Sequence, residues 1–219
     1  MLNLLNTSKA FFSFDRHLRS IRNLSSIFGY IRDSAPALDA AHLLRAEYAL
    51  IVSAFDKYLH DLVREKIMSD FFNVALDVTD QLALSLDKLK AITHETDIVK
   101  REALLDTYIC QNLAKHSFQS PKNVEFAFSL MGIKKVWQEL SRQMKMPAES
   151  IRDTLALVIN RRNKIVHEAD FDAVSGSYVV IEQETVSSCR EFISILVSAM
   201  DVITRRDKGT VLSSCTHRI

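Results

Sequence analysis

Residues 39–68, DAAHLLRAEYALIVSAFDKYLHDLVREKIM, form the stretch that decides the fold. Its apolar residues recur every three or four positions, which places their side chains on one face of an α-helix. The residues of this stripe are Leu44, Tyr48, Ile51, Phe55, Tyr58, Leu59, Leu62 and Val63. We therefore predict a long core helix here, against which the rest of the chain packs.

The rest of the chain has the same spacing in shorter segments, separated by polar or proline-containing breaks. Further helices are predicted over residues 11–32, 82–92, 97–116, 121–132 and 133–144, from 148 onward, and over 184–205. Residues 169–182 contain Ser175-Gly176 and the β-branched run at 178–181, which predict a loop or small hairpin before the last helix. With only 4 glycines and 3 prolines, the composition favours an all-α fold. We expect one domain over residues 1–206 and a polar, frayed tail over 207–219.

Composition excludes several classes of function. The net charge of +1 excludes binding to nucleic acid through the whole surface, so any such contact must be a local patch. The 3 cysteines form no C-x-x-C pair, as is typical of reduced thiols in a cytosolic protein. Neither a signal-peptide core nor a membrane-spanning run is recognisable. The sequence also contains no cofactor-binding motif and no spacing typical of a metal site. We therefore expect a cytoplasmic protein without metal or cofactor.

The segment RNKIVH, residues 162–167, is the clearest chemical signal in the chain. On the helix that contains it, Arg162 falls in the middle of an apolar stripe. That stripe consists of Ile151, Leu155, Val158, Ile165 and Val166. A guanidinium there keeps its charge, so it must meet a carboxylate, reach water or bind an anion. Asn163 and His167, four residues apart, share the flank of the stripe.

This combination is suited to phosphodiester chemistry without a metal. Histidine can give or take a proton near neutral pH, and a fixed arginine can stabilise charge on phosphorus oxygens. If the substrate is RNA, its 2′-hydroxyl can act as the nucleophile. The same residues also have a purely structural interpretation: a buried acid pairs with Arg162, and His167 interacts favourably with the helix dipole.

Two stretches resemble a known family. RRNKIVHE, residues 161–168, resembles the signature of HEPN-domain ribonucleases, and RAEYALIVSAFDKYLHD, residues 45–61, is similar to the second helix of the RiboL-PSP-HEPN branch. The resemblance implies an antiparallel helical bundle, usually a homodimer whose motif helices face each other across a shared cleft. It also implies a metal-independent endoribonuclease that acts as a toxin, in phage defence or in RNA processing. Arg162 and His167 would be the catalytic pair, and Asn163 would orient the phosphate or the imidazole.

Supporting roles are predicted for further polar residues. Asp56 is the candidate partner of Arg162, and Glu47 is the alternative. Asp56 and His60 are equally compatible with an ordinary surface pair four residues apart.

Candidate RNA contacts fall in two places. Arg161 and Lys164 project away from the apolar stripe and are expected to be solvated. Lys134 and Lys135, beside Trp137, form either an RNA-facing strip or a simple solvated helix face.

Two other functions fit the same sequence. The chain could be a non-catalytic HEPN-type scaffold that binds RNA or a partner protein. It could also be a toxin that is silenced by a cognate antitoxin or by another defence-system protein.

Overall fold

The long core helix, α3, extends over Ala41–Phe72. The computed structural model describes residues 7–72 and 85–210 of the chain. Asp39 lies two residues before the helix, and its side chain accepts a hydrogen bond of 2.9 Å from the backbone N–H of Ala41 at the helix start. Every residue of the predicted apolar stripe is buried. Helices α1, α2, α5, α6, α8 and α9 all contact α3, so the predicted position of this helix in the core is confirmed.

The remaining helices follow the predicted order, and the all-α fold class is confirmed. They are α1 (Lys9–Ile21), α2 (Asn23–Ser34), α4 (Leu86–His94), α5 (Ile98–Leu113), α6 (Pro121–Leu130), α7 (Val136–Met144), α8 (Ala148–His167) and α9 (Gln183–Thr210). The single helix predicted over residues 11–32 is instead two helices that meet at Arg22. The predicted start of α4 at residue 82 lies outside the described residues.

Local capping explains several of these boundaries. The Asp97 carboxylate accepts hydrogen bonds from the first turn of α5, and the Ser120 hydroxyl does the same for α6. Pro121 occupies the first position of α6, as predicted, where its missing N–H is not needed. Lys145 ends α7 in the left-handed conformation, two residues before Pro147.

A small hairpin joins α8 to α9, as the turn signal predicted. Strands β1 (Phe171–Asp172) and β2 (Ser177–Tyr178) pair antiparallel, with Phe171 opposite Tyr178. Gly176 has a φ of 68° in the connecting turn, a conformation that glycine adopts without strain. Helix α9 then continues to Thr210, beyond the predicted start of the tail at residue 207.

Helix α7 closes one side of the core by contacting both α8 and α9. Its buried residues include Val136, Trp137 and Leu140. The result is that α8 is packed on α3, α6 and α7, with its last turn beside the hairpin. Among the described residues, none of the helices is both long and apolar enough to cross a membrane.

Candidate active site

Helix α8 carries the 162–167 segment and is anchored in the core by its first turns. Ile151, Leu155, Val158 and Ile159 are its buried residues. Val166 was predicted on the same buried stripe, but 48% of it is exposed. Val166 lies in the last turn of α8 and is not part of the hydrophobic core, whereas Ile165 still packs against that core. The apolar face of α8 therefore opens towards solvent one turn beyond Arg162.

Arg162 lies partly buried where that opening begins. Its Nη1 donates a hydrogen bond of 3.1 Å to Oδ1 of Asn163. Its Nε is fully buried and has no hydrogen-bond partner in the described part of the chain. Arg162 forms no ion pair with any of the described residues. No carboxylate among the described residues therefore neutralises this guanidinium, which distinguishes Arg162 from Arg45, Arg161 and Arg190.

His167 is the last residue of α8, and its side chain is exposed. Helical geometry places it on the same flank as Asn163, which precedes it by one turn. Relative to Arg162, it is turned by roughly 140° about the helix axis and displaced by about 7.5 Å along it. Asn163 lies between the two and is hydrogen-bonded to Arg162.

A buried carboxylate that the sequence analysis missed fixes the end of α8. Ala169 and Asp170 are successive left-handed residues, with φ of 52° and 56°. They reverse the chain so that the Asp170 N–H donates to the carbonyl of Lys164 at 3.0 Å. The Asp170 side chain is fully buried. It pairs with Arg45 through Nε and Oδ2 at 2.9 Å, and with both terminal nitrogens of Arg161.

The Arg45 side chain extends this network to the hairpin. It donates to the carbonyl of Val179 at 2.8 Å, and its guanidinium carbon lies 5.0 Å from the Tyr178 ring centre. Helices α3 and α8 and the hairpin are thus joined around Asp170. A signal for this network was present in the sequence, because Arg45 is a charged residue between Leu44 and Tyr48 on the buried stripe of α3.

The network corrects one expectation about the motif. Arg161 was predicted to be solvated, but its side chain is only 19% exposed and is neutralised by Asp170. Both of its terminal nitrogens are engaged, so it is poorly placed to bind RNA. Lys164, by contrast, is exposed as predicted.

The predicted partners of Arg162 bind elsewhere. Asp56 accepts hydrogen bonds from the backbone N–H of Phe118 at 2.6 Å and from Nε2 of Gln119 at 3.2 Å. It therefore holds the segment before α6, and the predicted pairing with Arg162 is wrong. His60 remains beside Asp56, with 3.9 Å between Nε2 and Oδ1, and its ring centre lies 4.6 Å from that of Phe118.

Glu47 is also unavailable to Arg162. Its buried carboxylate forms an ion pair with Arg190 of α9 and accepts a hydrogen bond from the Ser25 hydroxyl of α2. It therefore joins α2, α3 and α9, and its predicted alternative role is wrong. Both errors have the same cause: helical periodicity identifies the face of a helix but not the element that packs on it.

The thiol of Cys189 does not compete as a nucleophile. Burial raises the pKa of this group to about 12, so it stays protonated at neutral pH.

Comparison with known proteins identifies the family. The searches of curated proteins and of solved structures found no match. A family model described as RiboL-PSP-HEPN matches residues 15–204, which include α3, the whole of α8 and most of α9. Because this match covers well over half of the sequence, the chain belongs to the RiboL-PSP-HEPN family of HEPN-domain proteins.

Proposed function

We propose that this protein is a metal-independent endoribonuclease whose active site contains Arg162, Asn163 and His167. Family membership supports an RNase-type or RNA-related function. The observation that carries the finer proposal is the state of Arg162. The buried or partly buried side chains of Arg45, Arg161 and Arg190 are neutralised by Asp170 or Glu47, whereas Arg162 has no ion pair among the described residues.

The chemistry follows from the groups present. The 2′-hydroxyl of RNA attacks the adjacent phosphorus, and the bond from phosphorus to the 5′-oxygen breaks. Arg162 stabilises the charge that develops on the non-bridging oxygens, and the hydrogen bond to Asn163 orients its guanidinium. One base must remove the 2′ proton, and one acid must protonate the 5′-oxygen. His167 supplies one of these groups, and a water molecule serves as the other. The products are a 2′,3′-cyclic phosphate and a 5′-hydroxyl.

This chemistry predicts the substrate requirement. We expect the wild-type protein to cleave single-stranded RNA in EDTA, but not the same oligonucleotide carrying 2′-O-methyl groups, because the nucleophile is then blocked. Gel electrophoresis with end-labelled RNA measures both reactions, and the product ends can be identified by mass spectrometry. Cleavage of the methylated strand, or a requirement for added metal, would contradict the mechanism. Binding of RNA without any cleavage would instead favour the non-catalytic scaffold.

A shared dimeric cleft predicts complementation between inactive variants. Arg162 and His167 diverge on one helix, so we propose that one phosphate contacts Arg162 of one subunit and His167 of the other. Mixing Arg162→Ala and His167→Ala proteins after reversible dissociation should then restore about a quarter of wild-type activity, through one intact site in each mixed dimer. Sedimentation confirms the dimer in each sample. Mixtures as inactive as the separate variants would place both groups in one subunit.

The biological setting we propose is phage defence, a toxin system or RNA processing. In the toxin case the partner is a cognate antitoxin, and a small open reading frame beside the gene would support it. Co-expression of that reading frame should then relieve growth inhibition by the wild-type protein.

A further inference from the structure

An open groove of about 880 Å³ lies between α6, α7 and the beginning of α8, at the opposite end of α8 from His167. Its lining includes four cations, Lys122, Lys134, Lys135 and Arg152, and a single carboxylate, that of Glu125. Within the described residues, these four cations form no ion pair. The groove is therefore strongly positive in a protein whose net charge is only +1.

A second groove of similar size shows that this charge pattern is not general. It measures about 820 Å³ and lies between α1, α3 and α5. Its cations are balanced locally, because Lys57 pairs with Asp61 and Arg64 pairs with Asp106. Unpaired cations gathered in one concave surface are suited to binding a polyanion, whereas the paired set is self-neutralised.

Aromatic groups accompany the cations of the basic groove. The exposed His116 ring lies 5.1 Å from the Phe126 ring centre, and both residues line the groove. Trp137 also lines it, and its indole Nε1 is buried without a hydrogen-bond partner in the described part of the chain. An exposed aromatic ring can stack on a base, so His116 and Phe126 add a base-binding surface to the cations.

The groove is aligned with the candidate active site along α8. Arg152 and Asn163 are separated by eleven residues, so they lie on nearly the same face of the helix and about 16 Å apart along its axis. A strand that occupies the groove can therefore run along this face towards Asn163 and His167. That distance corresponds to a few nucleotides rather than to a single phosphate group.

We propose that this basic groove binds single-stranded RNA. It holds the part of the strand that flanks the cleaved bond. Its cations contact successive phosphates, and the His116 and Phe126 rings contact a base. An acidic peptide would satisfy the cations but would leave these rings without a stacking partner. The role in substrate binding rests on the proposed nuclease function, but binding itself does not.

The single tryptophan of the chain makes binding directly measurable, because Trp137 lies in the groove itself. Tryptophan emission is titrated with a 2′-O-methyl oligonucleotide, which the proposed chemistry cannot cleave. We expect a saturable change in emission. The Lys134→Ala/Lys135→Ala variant should bind several-fold more weakly, and the slope of log affinity against log salt should fall by about 1.4 for two lost phosphate contacts.

The matched control is Lys90→Ala/Lys100→Ala, which removes the same charge from exposed lysines outside the groove. It should bind like the wild type. Thermal melts confirm that each variant is folded.

The outcomes separate this proposal from the nuclease proposal. Binding that weakens in the groove variants, in a protein that never cleaves RNA, would support the groove and reject the proposed activity. Equal weakening in the lysine control, or no tryptophan response to the oligonucleotide, would overturn the groove proposal. So would polyglutamate competing as well as RNA at equal charge, since that would assign the groove to acidic peptides.

Discussion

Replacement of Arg162 or His167 by alanine is expected to reduce RNA cleavage by about a hundredfold to ten-thousandfold, the usual effect of losing an electrostatic stabiliser or a general acid–base group. Single-turnover cleavage of a labelled RNA measures the loss. Arg16→Ala and His94→Ala are matched controls, since both side chains are exposed and lie on other helices. Equal activity of the motif variants and their controls would reject the site.

Stability measurements distinguish a functional arginine from a structural one. Arg162 is partly buried on an apolar face and forms no ion pair with any residue that the structure describes. Such a group costs stability, so we expect Arg162→Leu to leave the free energy of unfolding unchanged or to raise it by up to about 1 kcal/mol. Urea denaturation provides the value. An arginine held by a hidden acidic partner would instead show a large loss of stability together with the loss of activity.

The same distinction explains how far the sequence could predict the site. The position of Arg162 follows from the spacing of Ile151, Leu155 and Val158 on one helix, and the structure places it accordingly. Whether Arg162 meets a carboxylate could not be predicted from spacing, because this depends on which elements meet in three dimensions. Asp56 illustrates this: it lies at the edge of the α3 stripe as expected, yet its carboxylate binds the segment before α6.

The hairpin after α8 shows a related limit. The turn at Ser175-Gly176 was predicted correctly from local preferences, which act over a few residues. The burial of Asp170 was not predicted, because it needs two arginines, one nine residues away and one 125 residues away. Arg45 and Arg162 look alike in the sequence as cations on apolar stripes. Only the fold shows that Arg45 is neutralised by Asp170, whereas Arg162 meets no carboxylate in the described part of the chain.

Asp170→Ala is expected to lower the free energy of unfolding by about 3–5 kcal/mol, because it leaves the buried guanidiniums of Arg45 and Arg161 without a counter-ion. Urea denaturation at constant m-value measures this loss. Asp153→Ala is the control: this exposed aspartate lies near the start of α8, away from Asp170, and its loss should change stability by no more than about 0.5 kcal/mol.

The origin of the loss can be tested with a triple variant. If unpaired charge is the cause, then Asp170→Leu combined with Arg45→Met and Arg161→Leu should recover about half of the lost stability or more, since apolar residues can replace a buried ion-pair cluster. A single-variant loss below about 1 kcal/mol would mean that water reaches the two arginines and that Asp170 does not hold the hairpin. The end of α8, and with it His167, would then be positioned by the backbone bonds to the Lys164 carbonyl alone.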